Sequence, residues 1–136
     1  MRKVIGIIVG LVIAIALIDL SWSLAARWFP SPVDLNSDAA TLATYVVRMP
    51  VAGQLLVTVG WFVAGLVAAF AALRIAQWRP AGWIVGVLIV ALGIWNLTQL
   101  AQPLWMQAMS FVAPLLGCWL AERHFHRARP GDPLIN

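Results

Sequence analysis

Four apolar runs, each long enough to cross a lipid bilayer, decide what this chain can fold into. They cover roughly residues 4–26, 51–73, 81–101 and 104–121, and a helix needs about 20 apolar residues to span the hydrocarbon core. In lipid every backbone polar group must be satisfied within its own segment, so runs of this kind read as helices. Only 10% of the 136 residues are charged and 62% are hydrophobic, whereas a soluble domain carries about 25% charged residues. Lipid has to cover the surplus apolar surface. The expected fold is an all-α integral membrane protein, a four-transmembrane-helix bundle spanning residues 1–121, followed by a basic tail at 122–136.

The first run follows Arg2 and Lys3 and passes Ser23-Leu24-Ala25, a small-x-small pattern that a signal peptidase would accept. The apolar stretch continues through Ala26, beyond the 7–15 residues or so of a signal-peptide core, and a retained anchor is expected. Residues 27–50 form the one sizeable loop. Trp28 and Phe29 suit the headgroup boundary, Pro30-Ser31-Pro32 is extended, and Asn36-Ser37-Asp38 offers N-cap chemistry. Leu42, Tyr45, Val46 and Met49 recur at helical spacing, which predicts a short amphipathic outer helix on the membrane surface, ended by Pro50.

Lys and Arg set the orientation. Arg2, Lys3, Arg74, Arg79, Arg123, Arg127 and Arg129 fall on one side, and Arg27 and Arg48 on the other. The positive-inside rule then puts both termini in the cytoplasm, as expected of a multi-pass protein of a bacterial inner (plasma) membrane. The same placement argues against nucleic acid as the reason for the net charge of +4. The single cysteine, Cys118, excludes an intramolecular disulfide.

Small residues mark where helices approach. Gly60, Ala64, Ala68 and Ala72 form a small-xxx-small ridge, and Gly82 and Gly86 continue to Gly93 and Asn96 on nearly one face. Such ridges let backbones meet where lipid removes the usual hydrophobic drive. They serve packing within the bundle, or association with a second copy or another membrane protein. Pro114 inside the fourth run predicts a kink. The Gln102-Pro103 hairpin reads as too short to carry function.

The polar side chains lie at one level. Asp19, the only acid inside a span, is eight residues before Arg27, about 12 Å from the outer boundary at about 1.5 Å per residue. Gln54 and Thr58, Asn96 and Gln99, and Gln107 and Ser110 all fall in the outer halves of their spans. Asp19, Gln54, Asn96, Gln99 and Gln107 are therefore the candidate polar cluster. One reading has them satisfy each other through interhelical hydrogen bonds, worth about 0.6 kcal/mol each. The other makes them an outward-facing pocket in which Asp19, with no Lys or Arg at its depth, takes a cation, a proton or a polar headgroup. The inner half lacks polar groups, which argues against a conduction path. Trp28, Trp105, Trp78 and Trp83 suit an aromatic belt, while Trp22, Trp61, Trp95 and Trp119 read as deeper and available to the polar layer.

His124-x-His126 is a poor metal site, with two ligands in a basic tail. No span contains a haem-ligating His. Neither a phosphate loop, a nucleophile elbow nor a His-Glu zinc pair is present, and no cofactor or enzymatic activity is expected.

The layout resembles a group of small bacterial four-span membrane proteins without an assigned activity. The likeness is carried by Met1-Arg2-Lys3, an acid near the end of the first span (Asp19), Phe29-Pro30-Ser31-Pro32, Gly93-Ile94-Trp95-Asn96-Leu97 and Gln102-Pro103-Leu104-Trp105. It implies the topology only. Small multidrug exporters share four spans and an acid in the first, but this chain departs from them in its charge bias, its long outer loop and the depth of its acid. The expected role is a non-enzymatic accessory or structural membrane subunit. The alternative is a small transporter or ligand-binding membrane protein using Asp19.

Overall fold

Proline punctuation and one left-handed residue set the helix boundaries. In the computed structural model, which describes residues 1–34 and 36–125 apart from the side chain of Leu42, six helices follow in order. They are α1 (Arg2–Trp28), α2 (Ala39–Leu42), α3 (Tyr45–Arg48), α4 (Val51–Ala76), α5 (Pro80–Gln99) and α6 (Leu104–Phe125). Pro50 starts α4 by accepting from the N–H groups of Gly53 and Gln54 at 2.9 and 3.2 Å. Gln77 ends it in the left-handed conformation, φ 49°, with its N–H on the carbonyl of Leu73 at 2.9 Å. Pro80 occupies the first turn of α5, where its missing N–H costs nothing. Pro103 does the same service for α6, accepting from Met106 and Gln107. The four long helices are each apolar enough to cross a membrane, and the chain is a multi-pass all-α membrane protein. His126, Arg127, Arg129 and the rest of the expected tail lie outside the described residues.

α4 is the central helix. Its Gly60–Ala72 ridge runs antiparallel along a stripe of α1 comprising Gly6, Gly10, Ala14, Ile18, Ser21 and Ala25, all buried. Ser21 lies on Gly60, Gly10 on Ala68 and Ala72, and Gly6 on Ala76. On its other side α4 runs parallel to α6. A Cβ added to Gly117 would stand 2.5 Å from the carbonyl oxygen of Phe62 and 2.6 Å from the nitrogen of Leu66. Only hydrogen fits there, which is how close backbone approach substitutes for a hydrophobic drive in lipid. Pro114 packs on Gly65 at the same crossing, and α6 runs through it as one helix.

α5 closes the bundle against α1, α4 and α6. Its Gly82 faces Leu73, Gly86 faces Cys118, and Gly93 faces Trp61 and Ser110. Gly60, Ala64, Ala68, Gly82, Gly86 and Gly93 are thus engaged within this chain. Spacing alone reveals that a helix face is smooth. It does not reveal whose backbone lies on it.

The outer loop departs from the single surface helix expected of it. Two single turns form instead, parted at Ala43 and Thr44, where the Thr44 hydroxyl bonds the carbonyl of Thr41 at 2.8 Å and competes with continued helix. Tyr45, Val46 and Met49 are buried together with Val33. Their apolar side therefore rests on the bundle, not on lipid. The Ser31 hydroxyl donates to the carbonyl of Tyr45 at 2.9 Å, and the N–H of Ala101 donates to the carbonyl of Ala43 at 3.1 Å, tying the loop to the α5–α6 hairpin.

Candidate functional site

At the loop end of the bundle the polar side chains separate into two groups. The first is centred on Gln102, which lies between α5 and α6. α5 ends at Gln99 and the chain is already extended at Leu100; Gln102, kept out of helical backbone by the proline after it, lies off the α5 path and is buried. Its amide donates to Oδ1 of Asn96 at 2.7 Å and its side-chain oxygen accepts from the Ser110 hydroxyl at 3.4 Å. Its backbone carbonyl accepts from Nε2 of Gln107 at 2.7 Å. The hairpin dismissed on length is the hub of this network. The adjoining Pro103 was the available signal, since it keeps a polar residue out of helical backbone just where the chain re-enters the bundle.

Gln54 belongs elsewhere. Its amide donates to the carbonyls of Val46 and Met49 at 2.8 and 3.1 Å, satisfying the end of α3. Thr58 bonds back to the carbonyl of Gln54. Gln99 is exposed, with its amide on Thr98 at 3.3 Å. Of the five candidate residues, the structure joins Asn96 and Gln107 through Gln102, turns Gln54 to the loop and leaves Gln99 outside.

Asp19 stands in the second group. It lines a recess of about 140 Å³ with Ile15 and Ile18 of α1, Trp61 of α4, and Leu92, Trp95 and Asn96 of α5. Trp61 forms the buried floor at 3% exposure, while Ile15 and Trp95 are 41% and 67% exposed. The recess lies on the flank between α1 and α5, with its α5 residues in the last turns of that helix. Asp19 itself is exposed, and it makes no hydrogen bond or ion pair with any described residue. One turn on, the indole N–H of Trp22 is buried and has no partner among the described residues. Asp19 and Asn96 therefore share a recess without bonding each other.

At the opposite, basic end lies a constellation that sequence reasoning missed. Glu122 of α6 accepts from Nε of Arg79 at 2.6 Å and from the indole of Trp83 at 2.5 Å. Trp119, read as available to the polar layer, lies here instead, with the Arg123 guanidinium 5.3 Å from its ring. Lys3 and Arg74 are held similarly over Trp78 and Phe70, at 4.9 and 5.2 Å. Among the described residues no group of His, Cys, Asp and Glu could hold a metal ion.

Comparison with protein-family models, with curated proteins and with solved structures returns no match.

Proposed function

We propose that this chain is a non-enzymatic accessory subunit of a bacterial inner membrane, with both termini cytoplasmic, that receives a partner's transmembrane helix on its α1–α5 flank. The observation that carries the reading is Asp19, whose carboxyl is exposed on a helix apolar and long enough to cross a membrane, with no bonding partner in the described chain. A polar group so placed is costly unless something covers it. Gln54, Thr58, Asn96, Gln102, Gln107 and Ser110 have partners of their own, so Asp19 is not needed to lock them. A second copy docked by this same face would bring two carboxylates together, which favours a different partner whose helix carries a basic residue at this depth. Seven of the nine Lys and Arg lie on one side of the chain, and this bias supports the orientation.

A photocrosslinking residue at Ile15, on the rim of the recess, tests this in native membranes, with Val112 of α6 as the lipid-facing control. A discrete protein adduct at Ile15 is expected, lost in Asp19→Asn and lost again when the basic residue in the captured partner's span is replaced. Lipid adducts alone at Ile15, or a protein adduct indifferent to Asp19→Asn, count against the subunit reading.

Trp61 and Trp95 beside the carboxyl favour one other occupant, a small organic cation, because a ring face and a carboxylate both attract an ammonium group. In that case a quaternary ammonium compound quenches tryptophan fluorescence of the purified protein, and Asp19→Asn abolishes the quenching.

A further inference from the structure

At the basic end a cavity of about 330 Å³ opens between the start of α5 and the last turns of α6, lined by Arg79, Trp119, Glu122 and Arg123. We propose that it holds the phosphodiester headgroup of an anionic phospholipid. Glu122 engages Arg79 through Nε, which fixes the guanidinium plane and leaves its terminal nitrogens without a partner among the described residues. Arg79 is 69% exposed. Arg123 is steadied from the other side by the Trp119 ring. Two guanidinium forks facing one cavity suit a phosphate, whose oxygens they bind in pairs. The two forks outweigh the one carboxylate, so the cavity is cationic.

A second feature distinguishes a lipid from a soluble phosphate. Trp83, which donates to Glu122, is also the first ring of an apolar groove of about 280 Å³ along α5, lined with Pro80, Ile84, Val87 and Leu88. One indole thus lines a greasy groove and bonds Glu122 in the wall of the headgroup cavity, the juxtaposition that a phosphate with an attached acyl chain requires. Basic pockets between membrane helices take lipid headgroups by this chemistry.

The test uses the purified full chain in phosphatidylcholine nanodiscs carrying a spin-labelled probe lipid. Wild type should hold a phosphatidylglycerol probe several-fold more than a phosphatidylcholine probe. The double variant Arg79→Gln, Arg123→Gln should lose most of that excess, and Arg74→Gln, at the same end but outside the cavity, should keep it. Equal retention of both probes by wild type, or an excess unchanged in the double variant, overturns the proposal. Displacement of the probe by millimolar inorganic phosphate reassigns the cavity to free phosphate and overturns the lipid assignment. If the double variant fails to fold, wild type with a photoreactive phosphatidylglycerol headgroup decides the matter. Adducts on residues 79–83 or 119–123 support the site, and adducts confined to other segments overturn it.

Discussion

Gln102 donates its side-chain amide to Oδ1 of Asn96 at 2.7 Å, so α5 and α6 are tied at the loop end by a residue that belongs to neither helix. Gln102→Leu should strip the partner from Asn96 alone, since the Gln102 backbone carbonyl remains for Gln107 and the Met106 carbonyl for the Ser110 hydroxyl. The expected cost is about 1–3 kcal/mol, the range for leaving buried polar groups unpaired. Unfolding in mixed micelles measures it, with Gln99→Ala as an exposed comparison that should cost almost nothing. Equal costs for the two would remove Gln102 from the centre of the network.

The α4–α6 crossing should tolerate least. Gly117→Leu drives a side chain into the backbone of Phe62 and Leu66, and overpacking of this kind costs about 1–3 kcal/mol or more. Gly82→Ala makes a useful contrast, because its nearest neighbour is the Cγ of the Leu73 side chain at 3.2 Å, which has to give by only a few tenths of an ångström and is not backbone. That change should be near neutral, helped by the better helix propensity of alanine, about 0.8–1.0 kcal/mol.

Gln54→Leu should loosen the loop and spare the spans. It frees the carbonyls of Val46 and Met49, worth about 1 kcal/mol or roughly a fivefold rise in local opening. Hydrogen exchange over residues 43–50 should accelerate by that factor while exchange in α4 and α6 holds steady.

Asp19→Asn should change the micelle stability of the isolated protein by less than about 0.5 kcal/mol, as for a surface substitution, since the carboxyl has no partner within the described chain. A loss well above 1 kcal/mol would show that Asp19 is held internally after all.

Cys118 is buried at 1% exposure and its Sγ lies 3.5 Å from the carbonyl oxygen of Gly65. A maleimide should leave it unmodified in the folded protein and label it fully after denaturation in sodium dodecyl sulfate. Rapid labelling before denaturation would mean that the crossing opens.

How far these features can be read from residues alone depends on which coordinate they need. Depth along a helix follows from counting, so the spans, and the shared level of Asp19 and Asn96, were legible. Pro50 and Pro80 even marked where α4 and α5 begin. Direction around a helix is harder, because it depends on which neighbour lies there. Gln54 has the right depth and faces the outer loop. The Gly60 ridge has the right texture, yet its counterpart on α1, Gly6 and Gly10, went unnoticed within an unbroken aliphatic run. The Arg79–Glu122 pair joins residues 43 positions apart, a proximity that no local pattern encodes.

Trp61 has a consequence for the width of the flank recess. Its indole is wedged beneath Gly93, where an added Cβ would sit 3.4 Å from Cζ3, and the same ring is the floor on which Asp19 and Trp95 stand. The ring is therefore a spacer that keeps the upper part of α5 from settling onto α1. The chamber beside Asp19 is as wide as one indole allows, and a smaller side chain at position 61 would let its walls fall shut.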